Sequence, residues 1–245
     1  MKIDSMKIKN FRGYKDETEI KLNDLTVLVG KNDIGKSTIL EALDIFFNDG
    51  KGVIKLDKTD VNVKSRTEEN LDIEISVCFS ELPEQIVIDS TVETSLQDEF
   101  MLNANGQLEV IKRYKNGGSA KVFIKAKHPT NDKCAELLLK KNRDLKRIIQ
   151  SENIECENQT VNAEMRKAIW NKFSDDLQQD IIEIDVSKED AKKIWEKLSN
   201  YLPTYSLFQS DRKNSDGDNE IQDPLKTAVK QILSDTELQA TLAEV

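Results

Sequence analysis

Residues 30–37 of this chain read Gly-Lys-Asn-Asp-Ile-Gly-Lys-Ser, a complete G-x-x-x-x-G-K-[ST] sequence, and no other feature restricts the fold as strongly. Residues 25–29 before it are apolar apart from one threonine and predict a short buried strand that runs into the first glycine. Residues 38–48 after it carry apolar side chains at the spacing of one helix face. Because a strand, a glycine loop and a helix follow in this order, the sequence predicts an α/β protein with a phosphate-binding loop.

The side chains of this loop fit the chemistry of a triphosphate. Gly30 and Gly35 have no Cβ, so the backbone can approach a phosphate closely. The N–H groups that follow, and the positive end of the helix, then face the anion. Lys36 is expected to reach the β and γ phosphates, and the Ser37 hydroxyl is expected to ligate Mg²⁺. We therefore expect a nucleoside triphosphate and Mg²⁺ to bind at this loop.

The composition indicates a soluble cytoplasmic protein. Charged residues make up 33% of the 245 positions, and no run of about 18 apolar residues predicts a membrane span. The first residues enter a strand pattern directly and show no signal peptide. Cys78, Cys134 and Cys156 form no C-x-x-C pair, and His128 is the only histidine, so the sequence argues for reduced thiols and against a zinc site.

The net charge of −9 argues against a nucleic-acid surface spread over the whole chain, although one basic cluster stands out. Its members alternate with leucines and isoleucines within 15 residues: Lys133, Lys140, Lys141, Arg143, Lys146 and Arg147. Two interpretations stay open. The cluster forms a solvated helix surface, which is the commoner case, or a helix that lays a basic face on DNA or on a partner.

The chain changes character near residue 130. We expect residues 1–130 to form a nucleotide-binding lobe with the phosphate loop and a β-rich region, and residues 131–245 to form a helical segment. Further strands are predicted at residues 1–11, 17–22, 71–79, 86–88, 108–114 and 121–127, with a hairpin turn at 116–118. Helices are predicted at residues 162–173, from an N-cap at Ser187 to Pro203, and from Asp223 onward, with an exposed loop at 210–222.

Two acidic residues are candidates for the aspartate that supports Mg²⁺ in ATP-hydrolysing proteins. Asp89 ends the apolar stretch at residues 86–88, and Asp185 ends a stretch that carries a charge at Glu183. Neither aspartate is followed by a second acid. No N-K-x-D sequence is present, which argues against a Ras-like GTPase. The helical pattern of residues 236–245 stops without a cap, so we expect this chain to be part of a longer protein.

Residues 6–14 (MKIKNFRGY) and 30–43 (GKNDIGKSTILEAL) resemble the N-terminal strand and phosphate loop of the SMC/Rad50/RecF ATPases. The Asn-Asp-Ile-Gly variant at residues 32–35 is similar to the OLD family and related AAA15- and AAA21-type ATPases, which include ATP-dependent endonucleases and antiphage ATPases of the Gabija and PARIS kind. Residues 202–212 (LPTYSLFQSDR) and 222–225 (QDPL) resemble a segment after the first lobe in the same group. The middle of the chain matches nothing specific.

This resemblance implies an ABC-type ATPase head that binds ATP with Mg²⁺ and whose parts are split along the sequence. In such heads the signature motif, the second acidic strand and the switch histidine follow a long helical insertion, beyond the end of this chain. Two protomers sandwich ATP, which implies a homodimer or a higher homo-oligomer through the heads. The resemblance further implies an effector nuclease, as a domain or a separate protein, and DNA as a target of the intact protein. No part of this sequence encodes a Toprim nuclease of the kind that many OLD proteins carry.

The resemblance also assigns site residues by position. It places Arg12 near the phosphates and Ser37 on Mg²⁺. The residues that it wraps around the phosphates are Gly30, Asn32, Asp33, Ile34, Gly35, Lys36, Ser37 and Thr38. Asp57 and Asp60 either belong to a metal-supporting loop or form a solvated acidic turn, which is the favoured interpretation. No catalytic residue is identified, because the missing part of the head supplies water activation.

Two other classes of function stay open. A self-contained P-loop enzyme of phosphoryl transfer, such as a kinase, would turn over ATP as this isolated chain, with Asp89 or Asp185 essential. A non-catalytic interaction module would show no response to nucleotide. We expect the N-terminal ATP-binding part of an OLD-like ATPase, in which ATP-driven head dimerisation controls a DNA-directed or antiphage effector. By itself this part should bind nucleotide weakly and turn over little.

Overall fold

The computed structural model describes residues 1–31, 35–49, 52–88, 92–188 and 190–207. The chain divides into two compact units. The first comprises Met1–Val29 and Asp57–Pro203, and the second comprises Gly30–Leu56 and Thr204–Val245. This division does not follow the change of composition near residue 130, and the two-part organisation inferred from that change stays a prediction.

A six-stranded antiparallel sheet is the framework of the first unit. Its strands are β1 (Lys2–Lys9), β2 (Thr18–Lys21), β3 (Asp72–Ser80), β4 (Leu108–Lys115), β5 (Ala120–Pro129) and β6 (Gln179–Asp185). Their order across the sheet is β2-β1-β3-β4-β5-β6, and every neighbouring pair is antiparallel. The sheet and the accompanying helices confirm the predicted mixed α/β (α+β) class.

The two faces of the sheet differ in chemistry because side chains alternate along each strand. One face is apolar, and its cross-strand partners Met6, Val77, Val110 and Ile124 are all fully buried. The opposite face carries ion pairs, such as that between Lys7 Nζ and Glu109 Oε1 at 2.8 Å. Burial of the apolar face supplies the core of this unit.

Five α-helices accompany the sheet in the described part of the chain: α1 (Lys36–Asn48), α2 (Val63–Thr67), α3 (Asn142–Ser151), α4 (Asn162–Lys172) and α5 (Ala191–Leu198). Within the residues that the structure describes, four short 3-10 helices lie at Lys58–Asp60, Leu137–Leu139, Ser174–Asp176 and Ser199–Tyr201. None of the helices that the structure describes has the length and apolar character needed to cross a bilayer.

The helix predictions are confirmed at α4 and corrected at α5. The predicted helix at residues 162–173 is α4 within one residue. Ser187 is not the N-cap of α5, which begins at Ala191 after Asp190. The Ser187 hydroxyl instead accepts a hydrogen bond from the backbone N–H of Val122 in β5 at 2.8 Å. This bond continues the pairing of β5 with β6. The predicted loop at 210–222 and the helix from Asp223 lie outside the described residues.

Five of the predicted strands are confirmed, at β1, β2, β3, β4 and β5. Residues 86–88 contribute only a single bridge between Ile86 and Thr94. The predicted buried strand at 25–29 is wrong, because Leu25, Val27 and Val29 are 70–83% exposed and no described strand pairs with them. Strand formation requires a hydrogen-bonded neighbour, which a local pattern does not reveal. β6 was also missed, since it lies within the region expected to be helical.

The β4–β5 turn confirms the predicted hairpin and explains its glycine. Asn116 and Gly117 have φ angles of 51° and 69°, the left-handed pair of a type I′ turn. Gly117 also packs against the backbone of Asp57, where a Cβ would lie 2.3 Å from the Asp57 carbonyl carbon. Both the turn and the close approach therefore require glycine.

Replacing Gly117 with alanine should destabilise the protein more than replacing Gly106, which has a similar φ of 73° but no atom within 4 Å of the point that a Cβ would occupy. The shared left-handed strain costs about 1 kcal/mol, and the collision with Asp57 should at least double that loss for Gly117→Ala. Urea unfolding of both variants measures the difference. Equal losses would contradict the close packing of the turn on Asp57.

A buried polar cluster connects α4 to the segment before β4. Arg166 Nε donates to Glu99 Oε2 at 2.7 Å, and both side chains are at most 2% exposed. Beside them, His128 Nδ1 lies 2.9 Å from the Phe100 carbonyl oxygen, and its ring meets Trp170 edge-on. Burial lowers the pKa of His128 to about 4, and the Arg166 charge acts in the same direction. His128 is therefore neutral in the folded protein and donates its Nδ1 proton to that carbonyl.

This neutral histidine should make the fold sensitive to acid. Between pH 6.5 and 4 the unfolded chain binds a proton at His128, whereas the folded chain does not. The free energy of unfolding therefore falls as the pH falls. His128→Asn keeps a donor near the Nδ1 position but does not titrate. The loss of unfolding free energy from pH 7 to 4.5 should be about 2 kcal/mol smaller in His128→Asn than in the wild type. Denaturant unfolding of both proteins at both pH values tests this. Identical losses would show that burial does not lower the pKa of His128.

Candidate phosphate-binding site

The phosphate loop and α1 lie together in the second unit. Gly35 has φ 90° and ψ 11°, a left-handed conformation that favours glycine, and α1 begins at the next residue, Lys36. The helix starts without a capping side chain and has no acidic residue in its first turn. Ser37 and Thr38 occupy that first turn. A helix N-terminus of this kind suits an anion, because both its N–H groups and its dipole favour negative charge.

The lysine predicted to contact phosphate lies across the loop. Lys36 Nζ donates to the carbonyl oxygens of Gly30 at 2.8 Å and Lys31 at 2.6 Å. The ammonium is thus held over the loop backbone and beside the helix start. The structure therefore places Gly30 beside Lys36, and Gly35, Ser37 and Thr38 at the start of the same helix. Their contact with phosphate stays a prediction. The predicted residues Asn32, Asp33 and Ile34 lie outside the described residues.

A buried carboxylate fixes the far half of α1. Asp44 is 1% exposed, and it accepts hydrogen bonds from Asn48 Nδ2 at 2.9 Å and from the Ile54 N–H at 2.8 Å. Gly52 packs so closely that a Cβ there would lie 2.5 Å from Asp44 Oδ2. These contacts tie the chain that returns after α1 to the helix. Sequence reasoning missed Asp44, although a charged residue on the apolar face of a predicted helix was a usable signal.

Tyr205 binds the same helix from a distant part of the sequence. Its hydroxyl donates to the Leu40 carbonyl oxygen at 2.9 Å, and its ring stacks on Phe47 with the ring centres 5.8 Å apart. Burial raises the pKa of Tyr205 to about 12, and the negative charge of Asp44 adds to the increase. The hydroxyl therefore stays protonated and remains a donor at physiological pH. Residues 202–212 were noticed only as a resemblance, without a role for this tyrosine.

Arg12, the other residue predicted near the phosphates, belongs to a tightly bonded turn of the first unit. Its φ of 48° is left-handed, and its backbone N–H donates to the Asp60 carbonyl oxygen at 2.6 Å. Its Nε donates to Asp60 Oδ1 at 2.8 Å, and the guanidinium lies 4.9 Å from the centre of the Phe11 ring. The side chain of Arg12 is thus oriented by Asp60. Its predicted contact with phosphate stays a prediction.

Asp57 and Asp60 form a capping box around the 3-10 helix at residues 58–60. Asp60 Oδ2 accepts from the Asp57 N–H at 2.9 Å, while Thr59 donates to Asp57. The hydrogen bonds that the Thr59 hydroxyl and backbone N–H donate to its carboxylate lower the pKa of Asp57. Asp57 is exposed, as expected of a solvated acidic turn, whereas Asp60 is buried against Arg12. Across the described ranges, no cluster of histidine, cysteine and acidic side chains is arranged to hold a metal ion.

The remaining sequence candidates have local partners. Asp185 ends the antiparallel edge strand β6, where it accepts from the Ser187 N–H at 3.0 Å and pairs with Lys188 at 3.1 Å. Asp89 lies outside the described residues. In the basic cluster, Arg147 pairs with Asp144 at 3.2 Å. This pairing favours the solvated-surface interpretation of the cluster.

Removal of the Asp60 carboxylate should cost more stability than removal of an exposed one. Asp60→Ala deprives Arg12 Nε and the Asp57 N–H of their acceptor, and we expect a loss of about 1–3 kcal/mol. Asp24 pairs with Lys2 at 2.5 Å, but its side chain is 88% exposed, so Asp24→Ala should cost under about 0.5 kcal/mol. Thermal unfolding of the two variants compares them. A loss in Asp60→Ala as small as that in Asp24→Ala would mean that Asp60 does not hold the Arg12 turn.

Comparison with known proteins adds three findings to this geometry. The AAA ATPase domain family (AAA_15) matches residues 1–244. No curated protein matches the chain. A chain from the work "Structural biochemistry of ATP-driven dimerization and DNA stimulated activation of SMC ATPases" is similar in fold, with 15% sequence identity and a TM-score of 0.35. That similarity covers 61% of this chain and 92% of the other.

Proposed function

Because this chain belongs to the AAA ATPase domain family, we propose that residues 30–38 bind ATP with Mg²⁺ and that the intact protein hydrolyses it. One observation carries the proposal: α1 starts directly at the glycine loop, uncapped, with Lys36 held across the loop carbonyls. Backbone N–H groups, a lysine and a serine hydroxyl are the donor set that a magnesium triphosphate requires.

Each of these groups has a separate task in the proposed site. Lys36 exchanges its carbonyl partners for phosphate oxygens and neutralises their charge. The Ser37 hydroxyl would ligate Mg²⁺, which when bound would help to neutralise the phosphate charge. Gly35 keeps the backbone clear of the phosphates because it has no side chain. These groups position and stabilise charge, and none of them activates water.

The exposed segment before the loop supports an ATPase head that other strands complete. Leu25, Val27 and Val29 stand at every second position of this segment, and all three are more than two-thirds exposed. Such a segment is ready to enter a sheet when a strand with matching hydrogen bonds lies beside it. In the heads that this chain resembles, the acidic strand that supports Mg²⁺ comes from a later part of the sequence. We propose that the same part of the intact protein covers residues 25–29.

The finer proposal concerns assembly and purpose. Two copies of the intact protein sandwich ATP between their heads, with Arg12 as a further phosphate contact, and this dimerisation controls an effector nuclease. The effector acts on DNA, in the cytoplasm, as part of a defence against phage. The basis is the resemblance of residues 6–14, 30–43 and 202–212 to the OLD-like ATPases.

The proposed site is tested by titrating the chain with fluorescent ATP, with and without Mg²⁺, and by measuring ATP turnover. Lys36→Ala removes the charged ligand, and we expect its affinity to fall about tenfold to a hundredfold. Lys55→Ala is the matched control, because it removes an exposed lysine of the same unit outside the site. Its affinity should equal that of the wild type.

Each remaining outcome has a definite meaning. Mg²⁺-dependent binding with little turnover supports an ATPase part that needs the rest of the head. Rapid turnover that disappears in Asp185→Asn or Asp89→Asn would replace the proposal with a self-contained phosphoryl-transfer enzyme. Equal affinities of wild type, Lys36→Ala and Lys55→Ala would overturn the site, and no binding at all would favour the interaction module.

A further inference from the structure

The orientation of the phosphate loop depends on the position of α1. Lys36 and Ser37 are the first residues of that helix, so a rotation or a tilt of α1 moves both side chains and the N–H groups of the first turn together. A phosphate contact tolerates little such movement, because the energy of a hydrogen bond falls steeply with angle and distance. Whatever holds α1 therefore affects the affinity of the loop.

Tyr205 contacts α1 at two points that lie two turns apart. Its hydroxyl binds the carbonyl of Leu40, which lies one turn after Lys36, and its ring covers Phe47 two turns further on. The first contact is directional and the second is a broad apolar surface, so together they resist both sliding and rotation of the helix. The two residues joined by the hydrogen bond are 165 positions apart in the sequence.

Asp44 also anchors α1, but it holds a different part of the helix from the part that Tyr205 holds. Asp44 already fixes the distal half of α1 through Asn48 and Ile54, which are near in sequence. Neither of those contacts reaches the first turn of the helix. The hydroxyl of Tyr205 is bonded closer to the loop, at Leu40, and it comes from the chain segment that leads into residues 208–245.

We propose that Tyr205 is a positioning residue for the nucleotide site, holding α1 so that Lys36 and Ser37 meet the phosphates, an inference that rests on the proposed function. Because linked equilibria are reciprocal, nucleotide bound at the loop must then strengthen the contact of residues 204–207 with α1. Nucleotide binding is in this way transmitted to the segment that continues beyond residue 207.

The test compares Tyr205→Phe, which removes only the hydroxyl and keeps the ring on Phe47, with Tyr205→Ala, which removes both. Tyr201→Phe is the matched control, because the Tyr201 hydroxyl accepts from the Val87 N–H in the other unit. Two quantities are measured in each 245-residue variant. One is the affinity for Mg-ATP, and the other is amide hydrogen exchange at residues 37–40 and 204–207, with and without Mg-ATP.

We expect Tyr205→Phe to weaken Mg-ATP binding about twofold to tenfold, the effect of one net hydrogen bond, and Tyr205→Ala to weaken it further. Exchange at residues 37–40 should rise in both variants without nucleotide. Mg-ATP should slow exchange at residues 204–207 in the wild type and in Tyr201→Phe, but not in Lys36→Ala. If Tyr205 were purely structural, its replacement would change the overall stability. The slowing of exchange at residues 204–207 by Mg-ATP would then remain intact in both Tyr205 variants.

Two results separate failure of this inference from failure of the site itself. If Lys36→Ala loses binding while both Tyr205 variants bind as tightly as the wild type, the positioning role is overturned and the nucleotide site stands. If Lys36→Ala binds as tightly as the wild type, the proposed site is overturned, and the role of Tyr205 falls with it.

Discussion

The left-handed turn at Gly35 is the constraint on which the rest of the site depends. With φ at 90°, the chain leaves the loop and enters α1 within one residue, so the loop and the helix share Lys36. An L-residue with a side chain would meet a steric penalty of about 1–2 kcal/mol in this conformation. Because the turn is so short, the ammonium of Lys36 reaches back to the carbonyls of Gly30 and Lys31.

The geometry of the site therefore depends on α1 and on the residues that hold this helix in place. Asp44 holds the helix to the chain that returns after it, and Tyr205 holds it to a segment from the end of the described chain. Both contacts include a directional hydrogen bond, so the loop is carried by an anchored helix. The sheet of the first unit is constructed differently, from long-range antiparallel pairing with one apolar face. The Arg12 turn that follows β1 is held by Asp60.

The sequence predicted those parts of the structure that depend on local patterns. Strands β1, β3, β4 and β5 mix apolar residues with polar ones in a largely alternating pattern, and the Asn-Gly pair favours a tight hairpin turn, so each was found within a few residues. The phosphate loop was found because glycine, lysine and serine stand at fixed spacings. Residues 25–29 were misjudged for the opposite reason, since an apolar strand pattern does not show whether a neighbouring strand is at hand.

The missed features depend on contacts between residues far apart in the sequence. Ser187 has the chemistry of an N-cap, but a β5 N–H competes for its hydroxyl. Asp60 looks like part of a solvated turn until Arg12, 48 residues earlier, is brought beside it. Tyr205 could be singled out only by the resemblance around it, because the Leu40 carbonyl to which it binds is not encoded in any spacing.

The most direct measurement is the change in backbone amide ¹H–¹⁵N resonances of the isotope-labelled chain as Mg-ATP is added. If α1 and its loop are the site, the largest changes must fall on Gly35, Lys36, Ser37 and Thr38, and they must vanish in Lys36→Ala. Large resonance changes elsewhere in the chain, with these four residues unaffected, would contradict this site. So would changes at these residues that persist undiminished in Lys36→Ala.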